Sequence, residues 1–339
     1  MSDNASDEEQ QQQMQEIFIC ADVWLEVFAF VGPLDVGLKM ALISDRLDIL
    51  VDAHFKLMKR LLGWLLIRRA DDGNGAQIVN NSSGERLPIP QEPLPNKVIG
   101  FKGIWIRYVD QTVIEFLQRI RHLFDSSGTN LEIEMDTSDD QSRSWEIIWQ
   151  KIWPLVNNNT CGLHLCDSQC DRLRQFCPTI LRNCAQLRSI HSYRLFPEFP
   201  GEDNAGASSR QALAKWLITP RGDGLPKMLL CGSSTEMEGL KRTFVNAFEP
   251  ANFIIRLSHL CFAVVIEPFE LKNNWTGESL TFRRINRHNL LLVRCPIARE
   301  EDKWAKWEKE AKGWQWDHQL NRIAIDFNDS DIGDGKGTK

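Results

Sequence analysis

The sequence has no long apolar run. Its longest, residues 61–67 and 260–266, fall far short of the about 20 residues that cross a bilayer. The amino end has neither a positively charged start nor an apolar core, so it does not read as a secretory leader. Clustered lysine and arginine are missing as well. The net charge is −6, and residues 1–60 carry all of it, with 11 acidic and 5 basic side chains; the remainder is balanced. Without a basic face nothing displaces counterions from phosphates, which argues against a nucleic-acid partner. Nine cysteines and no leader lead us to expect free thiols in a reducing compartment, and a soluble cytoplasmic and/or nuclear protein with no membrane partner.

Motifs for chemistry are also scarce. Cys161, Cys166, Cys170, Cys177 and Cys184, with His164 and His191 nearby, supply ligand types for zinc but not the paired close spacing of a structural site. Cys170, Cys177 and Cys184 recur every seven residues, as one face of a helix does, and suit small buried thiols. His164 and Cys166 would share a side of a strand, with Asp167 beside them, but no glycine-rich elbow or oxyanion loop accompanies them. Asp329, Asp331 and Asp334 have the wrong spacing for a calcium loop, and Gly222-Asp223-Gly224 reads as a turn. No catalytic residue, metal ligand or cofactor is therefore expected.

What is present is an alternation of elements. Residues 1–15 are acidic and glutamine-rich and read as a disordered tail. Residues 16–60 have helical spacing: a first helix near Asp22–Val31, Gly32-Pro33 as stop and restart, a second short helix, and a third from Asp45 as N-cap. In residues 61–95, Leu65–Arg69 and Gln77–Val79 flank an Asp/Gly/Asn cluster as a hairpin does, and Pro88, Pro90, Pro93 and Pro95 mark a connector and a domain boundary. Across 96–258, strands such as Ile104–Tyr108, Leu131–Met135, Gly162–Leu165, Leu187–Ile190, Lys227–Leu230 and Asn252–Leu257 alternate with amphipathic helices. Their spacing of about 25–40 residues is that of a strand–helix repeat. The leucine-rich-repeat consensus is not met, so the array is expected to be irregular and only leucine-rich-repeat-like. Residues 259–328 read as a strand-rich antiparallel cap, with strands at Phe262–Ile266, Phe269–Lys272, Ser279–Ile285 and Leu290–Cys295. A charged helix over Arg299–Trp314 and a last strand, Arg322–Phe327, complete it, and 329–339 read as a second tail. The fold class is α/β, α+β overall. Trp145, Trp149 and Trp153 are expected in the core; Trp304, Trp307, Trp314 and Trp316 either pack the cap or meet a partner.

The segment Ile19-Cys20-Ala21-Asp22-Val23-Trp24-Leu25-Glu26-Val27-Phe28-Ala29-Phe30-Val31 resembles, without a gap, the opening of the F-box family, whose usual pattern is Leu-Pro-x-Glu-Leu-Leu-x-x-Ile-Phe-x-x-Leu. The likeness continues through Pro33-Leu34-Asp35-Val36 and Leu42–Leu47 to Leu50-Val51; Cys20 stands where the family usually has proline. Further segments, including Gly37–Arg46, Arg86–Pro90, Val113–Leu117, Pro268–Asn273 and Arg294–Ile297, are similar to a lineage-expanded set of nematode F-box proteins. The resemblance implies docking on the Skp-type adaptor of an SCF ubiquitin ligase and, through it, on a cullin. Matched residue by residue, it implies contacts at Ile19, Cys20, Val23, Trp24, Val27, Phe28, Val31, Pro33 and Leu34. The implied role is capture of a target protein by the C-terminal region, with no catalysis by this chain. A non-degradative repeat scaffold is the alternative, and a small thiol hydrolase a third.

Overall fold

Apolar residues at helical spacing build an amino-terminal helical unit. The computed structural model describes residues 19–31, 33–58, 62–81, 83–92, 98, 100–192, 194–232, 237–258, 267–286 and 289–333. Three helices come first: α1 (Ala21–Phe30), α2 (Pro33–Leu38) and α3 (Asp45–Met58), with a 3-10 turn at Met40–Leu42. Pro33 opens α2, where its fixed φ suits a first helical turn and its missing N–H costs no bond. Ser44 rather than Asp45 caps α3, its hydroxyl accepting from the Leu47 amide at 3.3 Å; Asp45 is the first helical residue. The Phe28 ring is fully buried, 5.9 Å from Trp24 and edge-on to His54 at 5.6 Å. Val36, Leu38, Leu47 and Val51 join it in a core continuous with that of the rest of the chain.

The described strands form one mixed sheet of thirteen. They are β1 (Leu62–Arg69), β2 (Ala76–Asn80), β3 (Arg86–Pro88), β4 (Phe101–Ile106), β5 (Thr129–Ile133), β6 (Thr160–His164), β7 (Ser189–Ser192), β8 (Lys227–Gly232), β9 (Phe253–Ser258), β10 (Phe269–Asn273), β11 (Glu278–Arg284), β12 (Asn289–Pro296) and β13 (Arg322–Ile325). The order is β10-β11-β12-β9-β8-β7-β6-β5-β13-β4-β1-β2-β3. Every neighbour from β1 to β9 is parallel. The two ends are antiparallel meanders.

The expected hairpin is β1–β2, turned by Gly73 and Gly75 at φ 79° and 75°, where a Cβ would be strained. Pro88 sits in the edge strand β3, where a missing donor breaks no ladder. The proline connector is not a break in the sheet: β1 pairs directly with β4 beyond it, and α2 lies against β1. The strand-rich end likewise continues the sheet, because β12 pairs with β9. The strand expected at Phe262–Ile266 lies outside the described residues.

The larger departure is β13. Instead of ending the chain at an edge, it inserts between β4 and β5, with Ile323 opposite Ile104 and Leu131. Asn321, at φ 52°, prepares the entry: its side-chain oxygen accepts from the Phe101 amide at 3.0 Å, and its carbonyl from the Asn130 amide at 3.0 Å. Residues beyond it are also held. Asp329–Asp331 form a 3-10 turn, and Asp329 accepts from the Ser144 amide at 2.8 Å and hydroxyl at 2.6 Å. The tail expected from 329 is therefore anchored as far as Gly333, whose amide bonds the Val109 carbonyl at 2.8 Å.

Helices link the parallel strands and cover one face. They are α4 (Gln111–Arg119) and α5 (Arg121–Ser127); α6 (Ser142–Ile147), a π turn at Ile148–Ile152 and α7 (Trp153–Val156); α8 (Asp167–Phe176) and α9 (Ile180–Asn183); α10 (Ser209–Ile218); and α11 (Met237–Val245). Asp110 caps α4 and Ser208 caps α10. Their apolar sides bury Ile104, Leu131, Leu163, Ile190, Leu229 and Ile255 from alternate strand positions. Trp145 and Trp153 are in this core, and Trp149 stacks on Phe176 at 5.6 Å. On the opposite face, α12 (Glu301–Gly313) and the segment after it cover Met228, Leu230, Ile254, Leu291 and Val293 with Trp304, Ala311, Trp314 and Trp316. The tryptophans near the chain end thus pack the sheet. Among the described residues no helix is long and apolar enough to cross a membrane.

Candidate functional site

The face of α1 is divided between core and solvent. Phe28 is core, and Trp24 and Val31 are half-buried against it. Val23, Val27 and Phe30, at i, i+4 and i+7, lie on the other side and are 46%, 39% and 91% exposed. Ile19 is half-buried with its carbonyl accepting from the Arg46 guanidinium, and Cys20 is exposed. Cys20 has extended backbone at φ −67°, the angle a proline ring imposes, and its side chain makes no cap bond. Pro33 and Leu34 lie in α2; their side chains fall outside the description.

The nine residues implied by the resemblance therefore separate. Phe28 is fully buried, with its ring packed against His54 of α3. Phe30, absent from that set, is the most exposed large apolar side chain among the described residues, and its place in the Val23–Val27 stripe was the signal for it. Leu42, Ile43 and Ile49 add 47%, 64% and 68% exposure on the same helical unit. Exposed Asp22 and Glu26 flank the stripe. Asp48 on α3 has its carboxyl pushed up by partial burial and by Asp52 and Asp45 beside it. Carboxylates thus border an exposed apolar stripe on α1.

A second polar assembly lies on the sheet face not covered by α4 to α11. Parallel register puts Glu132 of β5 beside His164 of β6, and His164 beside His191 of β7. Arg322 of β13 donates to Glu132 Oε2 at 2.6 Å, the Trp316 indole donates to the same oxygen at 2.8 Å, and His164 Nδ1 lies 2.5 Å from Oε1. The two imidazoles stack at 4.4 Å. Burial pushes the Glu132 carboxyl up, but hydrogen bonds from His164, Arg322 and Trp316 outweigh it and hold it at about 2. Burial, then His164 and Arg256, push His191 down to about 4. A carboxylate with both oxygens occupied by donors is a poor general base. Glu132 ties β13 and the Trp316 segment to β5. Nearby, Arg188 makes a bidentate pair with Glu310 at 2.9 Å, and Arg256 donates to Ala311 and Lys312 carbonyls at the end of α12.

The cysteines divide in the same way. Cys170 and Cys184 are buried, and burial pushes both thiols up to about 12, away from the reactive thiolate. Cys166 sits at the N-terminus of α8, with its amide bound by Gln169 and its sulfur 3.2 Å from the Ser168 hydroxyl. Among the described residues no three His, Cys, Asp or Glu side chains converge as a metal ion requires. No family model matches the chain, and no curated protein or solved structure matches it either.

Proposed function

We propose that this chain is a substrate-recognition subunit of an SCF-type ubiquitin ligase. Residues 16–60 act as an F-box that docks on a Skp-type adaptor and, through it, on a cullin. The strand–helix body, read as an irregular leucine-rich-repeat-like array, captures a target protein. The chemistry of ubiquitin transfer belongs to other subunits; this chain supplies proximity, turning a bimolecular encounter into a local one. The observation that carries the reading is the exposed Val23, Val27 and Phe30 stripe, within the segment that resembles the F-box, on a helix whose other side is buried. The parallel succession from β4 to β9, with a helix at each crossover, supports the array, although β13 interrupts it.

The test is target turnover in cells. Val23→Asp with Val27→Asp replaces surface side chains, so the fold persists while adaptor docking is lost. Proteins captured by the body are then bound equally by wild type and variant, but only wild type shortens their half-lives, and proteasome inhibition restores them. Equal half-lives with both chains would sink the degradation reading and leave the non-degradative scaffold.

A further inference from the structure

The helical layer opens into a cleft of about 820 Å³ between α10 and α11. One wall is set by backbone contact. A Cβ on Gly201 would lie 2.6 Å from the Lys215 amide nitrogen, so only glycine lets the loop carrying Phe199 and Pro200 lie on α10. Phe199, Pro200, Ile218 and Phe248 make the cleft partly apolar.

Its charge is lopsided. Arg182, Lys215, Arg242 and Arg294 line it, and among the described residues Glu249 is the one carboxylate in the lining. Arg294 is occupied by Glu278 at 2.6 Å and by the Glu249 carbonyl at 2.9 Å, and Arg182 by Asp203 at 3.0 Å. No carboxylate among the described residues pairs with Lys215 or Arg242. Lys215 is nonetheless half-buried. A partly desolvated ammonium beside apolar walls is stabilised by an anion. Phe248 lines the cleft while 80% exposed, and Val245 on α11 is 52% exposed. The apolar surface therefore continues past the rim of the cavity, as a site for an extended ligand would.

We infer that this cleft binds an acidic peptide segment of a partner protein, with carboxylates on Lys215 and Arg242 and an apolar side chain against Phe248. The inference deepens the target-capture reading and rests on it for the occupant being a protein.

Fluorescence anisotropy of the full chain tests it, with a labelled peptide of about ten residues, about 33 Å when extended, alternating Glu and Phe, and a control carrying Gln for Glu. The Glu peptide binds about tenfold or more tighter than the Gln peptide, and more weakly as salt rises. Lys215→Ala with Arg242→Ala removes that preference, and Lys215→Glu with Arg242→Glu reverses it toward a Lys peptide. Equal affinity for the Glu and Gln peptides, or an unchanged preference in variants that keep the wild-type melting temperature, overturns the inference. A gain of about tenfold or more on deleting residues 1–18 assigns the cleft to the chain's own acidic segment and overturns binding in trans. Adaptor capture is measured on the same proteins: capture without peptide preference defeats this inference alone, and peptide preference without capture defeats the ligase reading alone.

Discussion

Helices α1 and α12 carry the same kind of sequence, aromatic and aliphatic residues set among charges, yet they use it in opposite ways. In α12 and the turn after it, Trp304, Trp314 and Trp316 are 4%, 6% and 5% exposed, because β8, β9 and β12 offer an apolar face to cover. In α1, Phe28 finds the same shelter under α3, while Phe30, two residues on, is 91% exposed. Amphipathic spacing shows that a stripe exists. Whether it is core or docking surface depends on what the rest of the chain brings to it.

The most severe way to break the comparison is truncation. A chain beginning at residue 96 loses β1 to β3 and uncovers the edge of β4, together with the Leu62, Leu65 and Ile67 side of the core. It is expected to aggregate, whereas one beginning at Leu62 keeps the sheet complete; soluble yield and a cooperative thermal transition distinguish the two. Next come buried rings. Phe28→Ala and Trp316→Ala should each cost about 3–5 kcal/mol in urea unfolding, and the second also removes a donor from Glu132. Phe30→Ala should stay within about 0.5 kcal/mol.

Acid sharpens the contrast further, since the α12 side rests on a titratable assembly. The folded His191 pKa lies below its unfolded value, so its contribution is complete above about pH 6.5 and is lost as the pH falls toward about 4. Glu132 follows, its contribution lost between about 4.5 and about 2. Unfolding free energy measured across pH should therefore fall from about pH 6.5 downward, and His191→Gln should flatten the first window by about 2 kcal/mol after solvent screening. The smallest effect is expected at Cys20. Proline there matches φ −67° and should leave stability equal or raise it by about 0.5 kcal/mol, with adaptor binding equal or tighter; a large loss of either contradicts the alignment of this segment with the F-box pattern.

Much of this architecture was readable from local pattern. The strands from β4 to β9 announce themselves as short apolar runs bounded by turns, and the helices between them by their apolar stripes, because each needs only its own residues to be recognised. Three things were not readable. The insertion of β13 depends on pairing residues such as Phe101 and Asn321, which are 220 apart in sequence. Glu132, His164 and His191 each look like an outward polar position of a separate strand, and only parallel register brings them together. Phe28 and Phe30 have the same side chain within one helix, and only the position of α3 tells them apart.

The central claim of the proposed function is that the exposed side of α1 meets a partner, while its other side packs in the core. The direct measurement is titration calorimetry of a purified Skp-type adaptor into wild type and Phe30→Asp, with urea unfolding run on both. The account predicts an unchanged unfolding midpoint and binding weakened by about thirtyfold or more, the scale of a buried interface aromatic worth about 2 kcal/mol. Equal affinity for the two proteins, both folded, would contradict it.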